Sequence, residues 1–264
     1  MQLQTLCEKC AAEASAASAR VSLLVQDISC SQPLLEHDAQ RHLVSASTIK
    51  TQIMLTTLDM VQHGTLSLQT LVPISSEDIL PDSIAFDRPI SKVAVEELLH
   101  WMICISDNTA TNLLIRLVGM EAVNRYSAEV LHLTATKLER KMLDWDALQQ
   151  GRNNFTSPHD MLRTYRALAQ KTILTPELCD YALSVLSCQQ DKTVAFRYIW
   201  EPLRAAHKTG ELDGLDHDTG LLFLQNHTYF FGFFATDGSS NTENQQLLGR
   251  LFRMVIDYLK EVEA

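Results

Sequence analysis

The chain has 264 residues, of which 46% are hydrophobic and 20% charged, and its formal net charge is -10. This acidic balance, without any cluster of Lys and Arg, argues against binding to nucleic acid or to an anionic membrane surface. No apolar run approaches the roughly 20 residues of a transmembrane helix, so no membrane association is predicted.

The N-terminal part of the chain predicts a helix, two strands and a second helix. The first twenty residues mix Glu, Lys and Gln with Ala, which predicts an amphipathic helix rather than a secretory signal. We therefore expect a cytoplasmic protein, or an exported one whose signal peptide is absent here. Residues 21–28 predict a strand and residues 33–38 a second one. From Ser47 the apolar spacing becomes helical and ends near Gly64.

The rest of the chain divides into a helical part and a second group of strands. Residues of about 65–205 are mostly helical in pattern, except where the periodicity fails between Arg140 and Pro158 and predicts a long ordered loop. Strands return at 219–224 and 228–235, and a terminal helix follows. We predict an α/β (α+β) fold in which 1–45 and 206–264 form a discontinuous sheet domain. Residues 46–205 form an inserted helical domain with an active-site loop at about 138–158, and the cleft between the domains is the expected site.

Ser47-Thr48-Ile49-Lys50 places a hydroxyl and an amine three residues apart on one face of a helix start. A buried lysine loses its proton easily and can then act as a base toward the serine. Taken alone, such a pattern is more often a solvated helix turn.

Ser106-Asp107-Asn108 opens a helix that runs to Val118. Its structural interpretation is an Asp107 N-cap. Its functional interpretation makes Ser106 a proton relay to a leaving group and Asn108 a hydrogen-bonding partner for Lys50 or substrate. Both interpretations can hold together.

His207-Lys208-Thr209-Gly210 precedes the aromatic strands near the C-terminus. Lys208 and Thr209 are candidates for binding a substrate carboxylate, and Gly210 would let the substrate backbone approach closely. An edge-strand charge and a bulge glycine are the structural alternative.

The three motifs occur in the order Ser-x-x-Lys, Ser-Asp-Asn, Lys-Thr-Gly, and the sequence therefore resembles the class A β-lactamases and penicillin-binding proteins over essentially its whole length. The resemblance implies an antiparallel sheet flanked by the terminal helices. It also implies that Ser47 is acylated, that Lys50 is the general base, and that the backbone N–H groups of Ser47 and Glu211 form an oxyanion hole. No cofactor and no metal are implied.

One position departs from the family pattern. The family's β-lactamases carry a loop glutamate two residues after an arginine, and Met142 stands at that place, two residues after Arg140. A thioether cannot accept a proton, so we expect fast acylation and slow deacylation. Asn154 stands near the position of the family's aspartate, which predicts a neutral hydrogen bond to Arg140.

Three acidic residues near the loop, Glu139, Asp144 and Asp146, are alternatives for the missing glutamate, although Asp144 and Asp146 more simply cap or solvate the turn. The segment 211–218 is also unusually acidic, which weakens the case for an antibiotic substrate. His217 and Asp218 either contact substrate or close a hairpin.

Three functions follow as expectations. The first is a serine hydrolase or acyltransferase that forms an acyl-enzyme with a β-lactam-like or small amide or ester substrate. The alternatives are a class A β-lactamase and a non-catalytic sensor of penicillin-type ligands. The partner is a small molecule in each case, and the sequence does not indicate the oligomeric state.

Overall fold

The computed structural model describes residues 2–88 and 90–263. Within these residues the strands are β1 (Arg20–Asp27), β2 (Leu35–His37), β3 (Leu43–Val44), β4 (Leu71–Pro73), β5 (Lys92–Ala94), β6 (Phe155–Thr156), β7 (Arg204–Leu212), β8 (Leu215–Phe223) and β9 (Thr228–Thr236). The α-helices are α1 (Leu3–Ala16), α2 (Lys50–Gln62), α3 (Val95–Cys104), α4 (Asn108–Val118), α5 (Met120–Arg125), α6 (Trp145–Gln149), α7 (Pro158–Ala169), α8 (Pro176–Ser187) and α9 (Asn241–Glu263).

The main sheet has five strands in the order β2-β1-β9-β8-β7, and every neighbouring pair is antiparallel. Strand β1, from the N-terminal part of the chain, pairs with β9 from Arg20 opposite Thr236 to Asp27 opposite Tyr229. The predicted α/β class with an antiparallel sheet is confirmed. Strand β7, which carries the Lys-Thr-Gly motif, lies at the sheet edge.

The aromatic run in β9 explains how both faces of the sheet become buried. Phe231 and Phe233 pack with the core formed against α1 and α9, whereas Phe230 and Phe234 pack with the core of the helical region. This alternation is the period of two that a strand imposes. The sheet therefore lies between the terminal helices on one face and the central helices on the other. The division into domains at 45/46 and 205/206 stays a prediction.

Two local expectations differ from the structure. Strand β8 begins at Leu215 rather than at 219, so His217 and Asp218 lie inside the strand and are fully buried, while Gly214, with a φ of 67°, lies in the turn. The long loop contains the short helix α6 and strand β6, which pairs with β3. Among the described residues, no helix has the length and hydropathy that crossing a membrane requires.

Candidate active site

Ser47 lies at the junction of two cavities. It belongs to a 3-10 turn over Ala46–Ile49 that leads directly into α2. It lines one cavity of about 460 Å³ and another of about 420 Å³. The preceding residue, Ala46, has a φ of 44°, a left-handed conformation that costs free energy and recurs at functional sites. The turn therefore presents the Ser47 side chain to both cavities.

Lys50 is fully buried one helical turn after Ser47. Its Nζ donates to the Ser106 carbonyl at 2.6 Å, to Ser106 Oγ at 3.1 Å and to Asn108 Oδ1 at 2.8 Å. Burial, aided by the charge of Lys208, lowers the pKa of Lys50 well below its ordinary value. The neutral form of this lysine, which is the form that can act as a base, is thus more accessible than that of an exposed lysine.

Ser106 bridges the two buried lysines of the site. Its Oγ lies 3.1 Å from Lys50 Nζ and 3.0 Å from Lys208 Nζ, and its backbone has a φ of 58°. Burial lowers the pKa of Lys208 to about 8. The hydroxyl therefore lies on a continuous chain of polar groups, which is the arrangement that proton transfer needs.

The Asp107 side chain accepts from Ala110 N at 2.8 Å and caps α4. The predicted cap is therefore present beside the polar cluster. Asn108, at the first turn of α4, also donates from Nδ2 to Asp82 Oδ2 at 2.7 Å. Asp82 lines the smaller cavity together with Ser47.

Gly210 lies where β7 approaches the nucleophile. A Cβ at this position would lie 3.1 Å from Ser47 N and 3.1 Å from Ala46 Cβ, tighter than ordinary contacts. The missing side chain thus permits the close approach of the sheet edge to Ser47. Thr209 and Glu211, the neighbours of Gly210 in β7, line the larger cavity. Lys208 is fully buried, and its Nζ donates to Thr209 O at 3.0 Å as well as to Ser106.

The loop before α7 places a thioether beside Ser47. Met142 is 8% exposed and lines the smaller cavity with Ser47. Its backbone is fixed in both directions by Asn112, which accepts from Met142 N at 2.8 Å and donates to Met142 O at 3.1 Å. Arg140 lines the same cavity, and its Nε donates to Asn153 Oδ1 at 2.9 Å.

Asn154 contacts the backbone of Arg140 rather than its guanidinium. Its Oδ1 accepts from Arg140 N at 3.0 Å and from Glu139 N at 2.9 Å, and its Nδ2 donates to Arg140 O. The neutral hydrogen bond expected for Asn154 therefore exists, but Asn153 takes the side chain of Arg140.

The three acidic residues proposed as substitutes for the glutamate point elsewhere. Glu139 forms an ion pair with Lys137, Asp144 accepts from Ala147 N at 3.0 Å and caps α6, and Asp146 is exposed. None of the three lines either cavity at Ser47. The acidic residues that do line them are Asp82, Asp191, Glu211 and Asp213.

The sequence interpretation missed Asp82 and Asp191, because neither belongs to a motif. Both reach the site only through folding of segments distant from Ser47. His217 and Asp218 also have roles that were not expected. His217 bonds Val44 O at 2.9 Å, and Asp218 holds His207 at 2.7 Å on the strand that carries Lys208.

Across residues 2–88 and 90–263, no group of three or more His, Cys, Asp and Glu side chains is arranged to hold a metal ion.

An accessible serine followed by a buried lysine in Ser-x-x-Lys, a bridging Ser-Asp-Asn serine and a Lys-Thr-Gly edge strand on this fold define a serine hydrolase of the β-lactamase type. The chain matches the β-lactamase enzyme family over residues 5–259 and belongs to that family. The family acts on small molecules. Enzyme class and family resemblance are thus confirmed.

Curated relatives and solved structures agree with this membership. A β-lactamase of Bacteroides uniformis is 23% identical over 248 residues, covering 86% of this chain and 82% of the relative. A β-lactamase of Rhodobacter capsulatus is 32% identical over 135 residues, covering 50% of this chain and 45% of the relative. The structure of a β-lactamase from Sphaerobacter thermophilus has a TM-score of 0.87 and 26% identity, covering 98% of each chain. PBP-A shares the fold with a TM-score of 0.87 at 24% identity, covering 98% of this chain and 97% of its own.

Proposed function

We propose that the protein forms an acyl-enzyme at Ser47 with a small amide, ester or β-lactam-like substrate. The observation that carries the proposal is the environment of Lys50, a fully buried amine whose three acceptors lie on Ser106 and Asn108. Burial disfavours the charged form of this amine. The neutral form satisfies the same three contacts if its two N–H groups donate to the Ser106 carbonyl and Asn108 and the Ser106 hydroxyl donates to its lone pair. A base of this kind, one turn from an accessible serine, fits nucleophilic catalysis.

In this proposal Lys50 accepts the Ser47 proton as Oγ attacks the substrate carbonyl. The backbone N–H groups of Ser47 and Glu211 stabilise the oxyanion, and each such donor contributes about 3 to 4 kcal/mol in comparable sites. Ser106 then passes a proton to the leaving group, and its contact with Lys208 favours that transfer. Thr209 and Gly210 contact the leaving-group end of the substrate.

Hydrolysis of the acyl-enzyme is expected to be slow. Met142 offers no proton acceptor in the cavity that contains the acyl group, and the nearby Glu139, Asp144 and Asp146 are engaged or exposed away from it. If an acceptor other than water takes the acyl group from Ser47, the same acyl-enzyme acts as an acyltransferase instead of a hydrolase.

A class A β-lactamase is the second candidate, because a β-lactamase of Bacteroides uniformis matches 86% of the chain. Its weakness is the same methionine, since the position from which the family's glutamate acts on water carries no base, although Asp82, Glu211 and Asp213 line the cavity elsewhere. A sensor that is acylated once would show the same first step without turnover.

Labelling with a fluorescent penicillin and with an activated phenyl ester tests the acyl-enzyme, with Ser47→Ala and Lys50→Met as variants. We expect label on the wild type, located at Ser47 by peptide mass, and none on Ser47→Ala. The control is Ser239→Ala, which removes an exposed hydroxyl remote from the polar cluster. Label that persists in Ser47→Ala, or no label from either probe, would overturn the proposal. Rapid hydrolysis of a chromogenic cephalosporin would instead establish the second candidate.

A further inference from the structure

The two cavities at Ser47 differ in which part of a substrate they can hold. Ser106, the proton donor to the leaving group in the proposed function, lines the cavity of about 460 Å³ and not the smaller one. Because the leaving group must reach that hydroxyl, it occupies the larger cavity. The acyl part remains beside Met142 in the smaller one. This assignment, and the inference below, rest on the proposed function.

The charged side chains that line the larger cavity are both acidic, Asp191 and Glu211. Lys208, the cation of the Lys-Thr-Gly motif, is fully buried, and its Nζ is engaged by Ser106 Oγ and Thr209 O. Thr209 lines the same cavity as Asp191, and its side chain helps to lower the pKa of that carboxyl. A leaving group in this cavity therefore contacts a wall that carries the carboxylates of Asp191 and Glu211, whereas the Lys208 ammonium is buried below that wall.

Asp191 is held in this position by its own segment. Its Oδ1 accepts from Thr193 N at 2.9 Å and from Thr193 Oγ1 at 2.7 Å. Its backbone N donates to Gln189 Oε1 at 3.0 Å, and Gln189 in turn donates to Ile103 O at 3.0 Å, close to the end of α3. The carboxylate is thus fixed to the element that precedes Ser106.

The ionisation of the two acids is consistent with this arrangement. Burial opposes the charge of Asp191, but hydrogen bonds from Thr193 and Thr209 and the nearby Lys208 keep its pKa below the ordinary value. Burial together with Asp216 and Asp191 raises the pKa of Glu211. The negative charge is therefore favoured at Asp191 and opposed at Glu211.

We infer that Asp191 determines specificity by occupying the place beside Thr209 where a substrate carboxylate would bind, so that the enzyme selects neutral or amine-bearing leaving groups. A substrate carboxylate in this cavity would face the carboxylates of Asp191 and Glu211, which line it together with Thr209. A protonated amine would instead form an ion pair with Asp191. Lys208 and Thr209 would bind a carboxylate well only if the charge at Asp191 were removed.

Three benzylpenicillin derivatives with one reacting ring and different charges test the inference. They are the free carboxylate, its methyl ester and its 2-(diethylamino)ethyl ester, which is cationic at neutral pH. The second-order rate constant for acylation of Ser47 is measured by intact mass. For the wild type we expect the cationic ester to react fastest and the carboxylate slowest, with about a tenfold change per unit of charge. Added salt should narrow these ratios, because screening weakens charge interactions.

The variant Asp191→Asn keeps an oxygen for Thr193 and removes the charge. We expect it to accelerate acylation by the carboxylate about tenfold and to slow the cationic ester. Asp180→Asn is the matched control, since it removes the same charge from α8 at an exposed ion pair with Lys171. Equal rates for all three probes in the wild type, or a wild type that prefers the carboxylate at every salt concentration, would overturn the inference alone. No acylation by any of these penicillins would overturn the inference, and the proposed function falls with it only if the activated phenyl ester also leaves Ser47 unlabelled.

Discussion

The substitution Met142→Glu should convert a slow acyl-enzyme into a turning-over hydrolase. Met142 lines the cavity that contains the Ser47 side chain. Its backbone N and O are both bonded to the side chain of Asn112, so the loop should keep its path when the side chain changes. A glutamate of similar length would place a carboxylate where the acyl group is attacked by water.

The expected gain follows from general base catalysis, which contributes typically 10²- to 10⁴-fold. This corresponds to about 3 to 5 kcal/mol off the deacylation barrier, at about 1.4 kcal/mol per tenfold change. The cost to folding is smaller. Met142 is only 8% exposed, so a carboxylate there loses hydration, but Arg140 lines the same cavity and partly compensates. We expect a destabilisation of about 1 to 3 kcal/mol.

Pre-acylated enzyme, freed from excess penicillin, is followed by intact mass to give the deacylation rate. Met142→Gln is the matched control, because it has a similar size and polarity but no proton acceptor of comparable strength. An unchanged deacylation rate in a folded, acylated Met142→Glu protein would refute the assignment of this position. So would a wild type that already clears penicillin within seconds.

Three further predictions concern the pH dependence and the packing of the site. The acylation rate should fall above about pH 8 as Lys208 loses its proton. Lys208→Arg stays charged in this range and should abolish that fall. A wild-type acylation rate that stays constant through this range would contradict the prediction. Burial lowers the pKa of His217 to about 4, below its value of 6.5 in the unfolded chain, so His217 adds stability that is complete above pH 6.5 and lost toward pH 4. The free energy of unfolding, measured with urea at both pH values, should fall on acidification in the wild type. In His217→Gln this fall should be smaller by up to about 3 kcal/mol. In Gly210→Ala the new Cβ would lie too close to Ser47 N, so the acylation rate should fall at least tenfold with little change in Tm. An unchanged acylation rate would show that β7 shifts to accommodate the methyl group.

Local spacing predicted that Ser47 and Lys50 share one face, and the order of the three motifs added their proposed roles as nucleophile and base. Residues three apart at a helix start share a face whatever surrounds them, so Ser47 and Lys50 could be paired from the sequence. The Asp107 cap was readable for the same reason, since it depends on residues within one turn. The antiparallel sheet was expected from the strands at both ends and from the order of the three motifs.

Contacts between distant segments could not be read in this way. The sequence paired Arg140 with Asn154, whereas folding gives its side chain to Asn153 and uses Asn154 to hold the backbone. From the sequence, His217 and Asp218 were expected either to contact substrate or to close a hairpin. In the structure both lie inside β8, where pairing with β7 and β9 buries them.

The sequence by itself determined which groups carry the proposed chemistry, because hydroxyl, amine and missing glutamate are properties of residue type and short spacing. Only the tertiary structure decided the charge that a substrate meets. Asp191 and Asp82 belong to no motif, and they reach the cavities at Ser47 through segments far away in the chain. Electrostatic interactions depend on distance and burial rather than on sequence separation, so folding decided which charges line the two cavities.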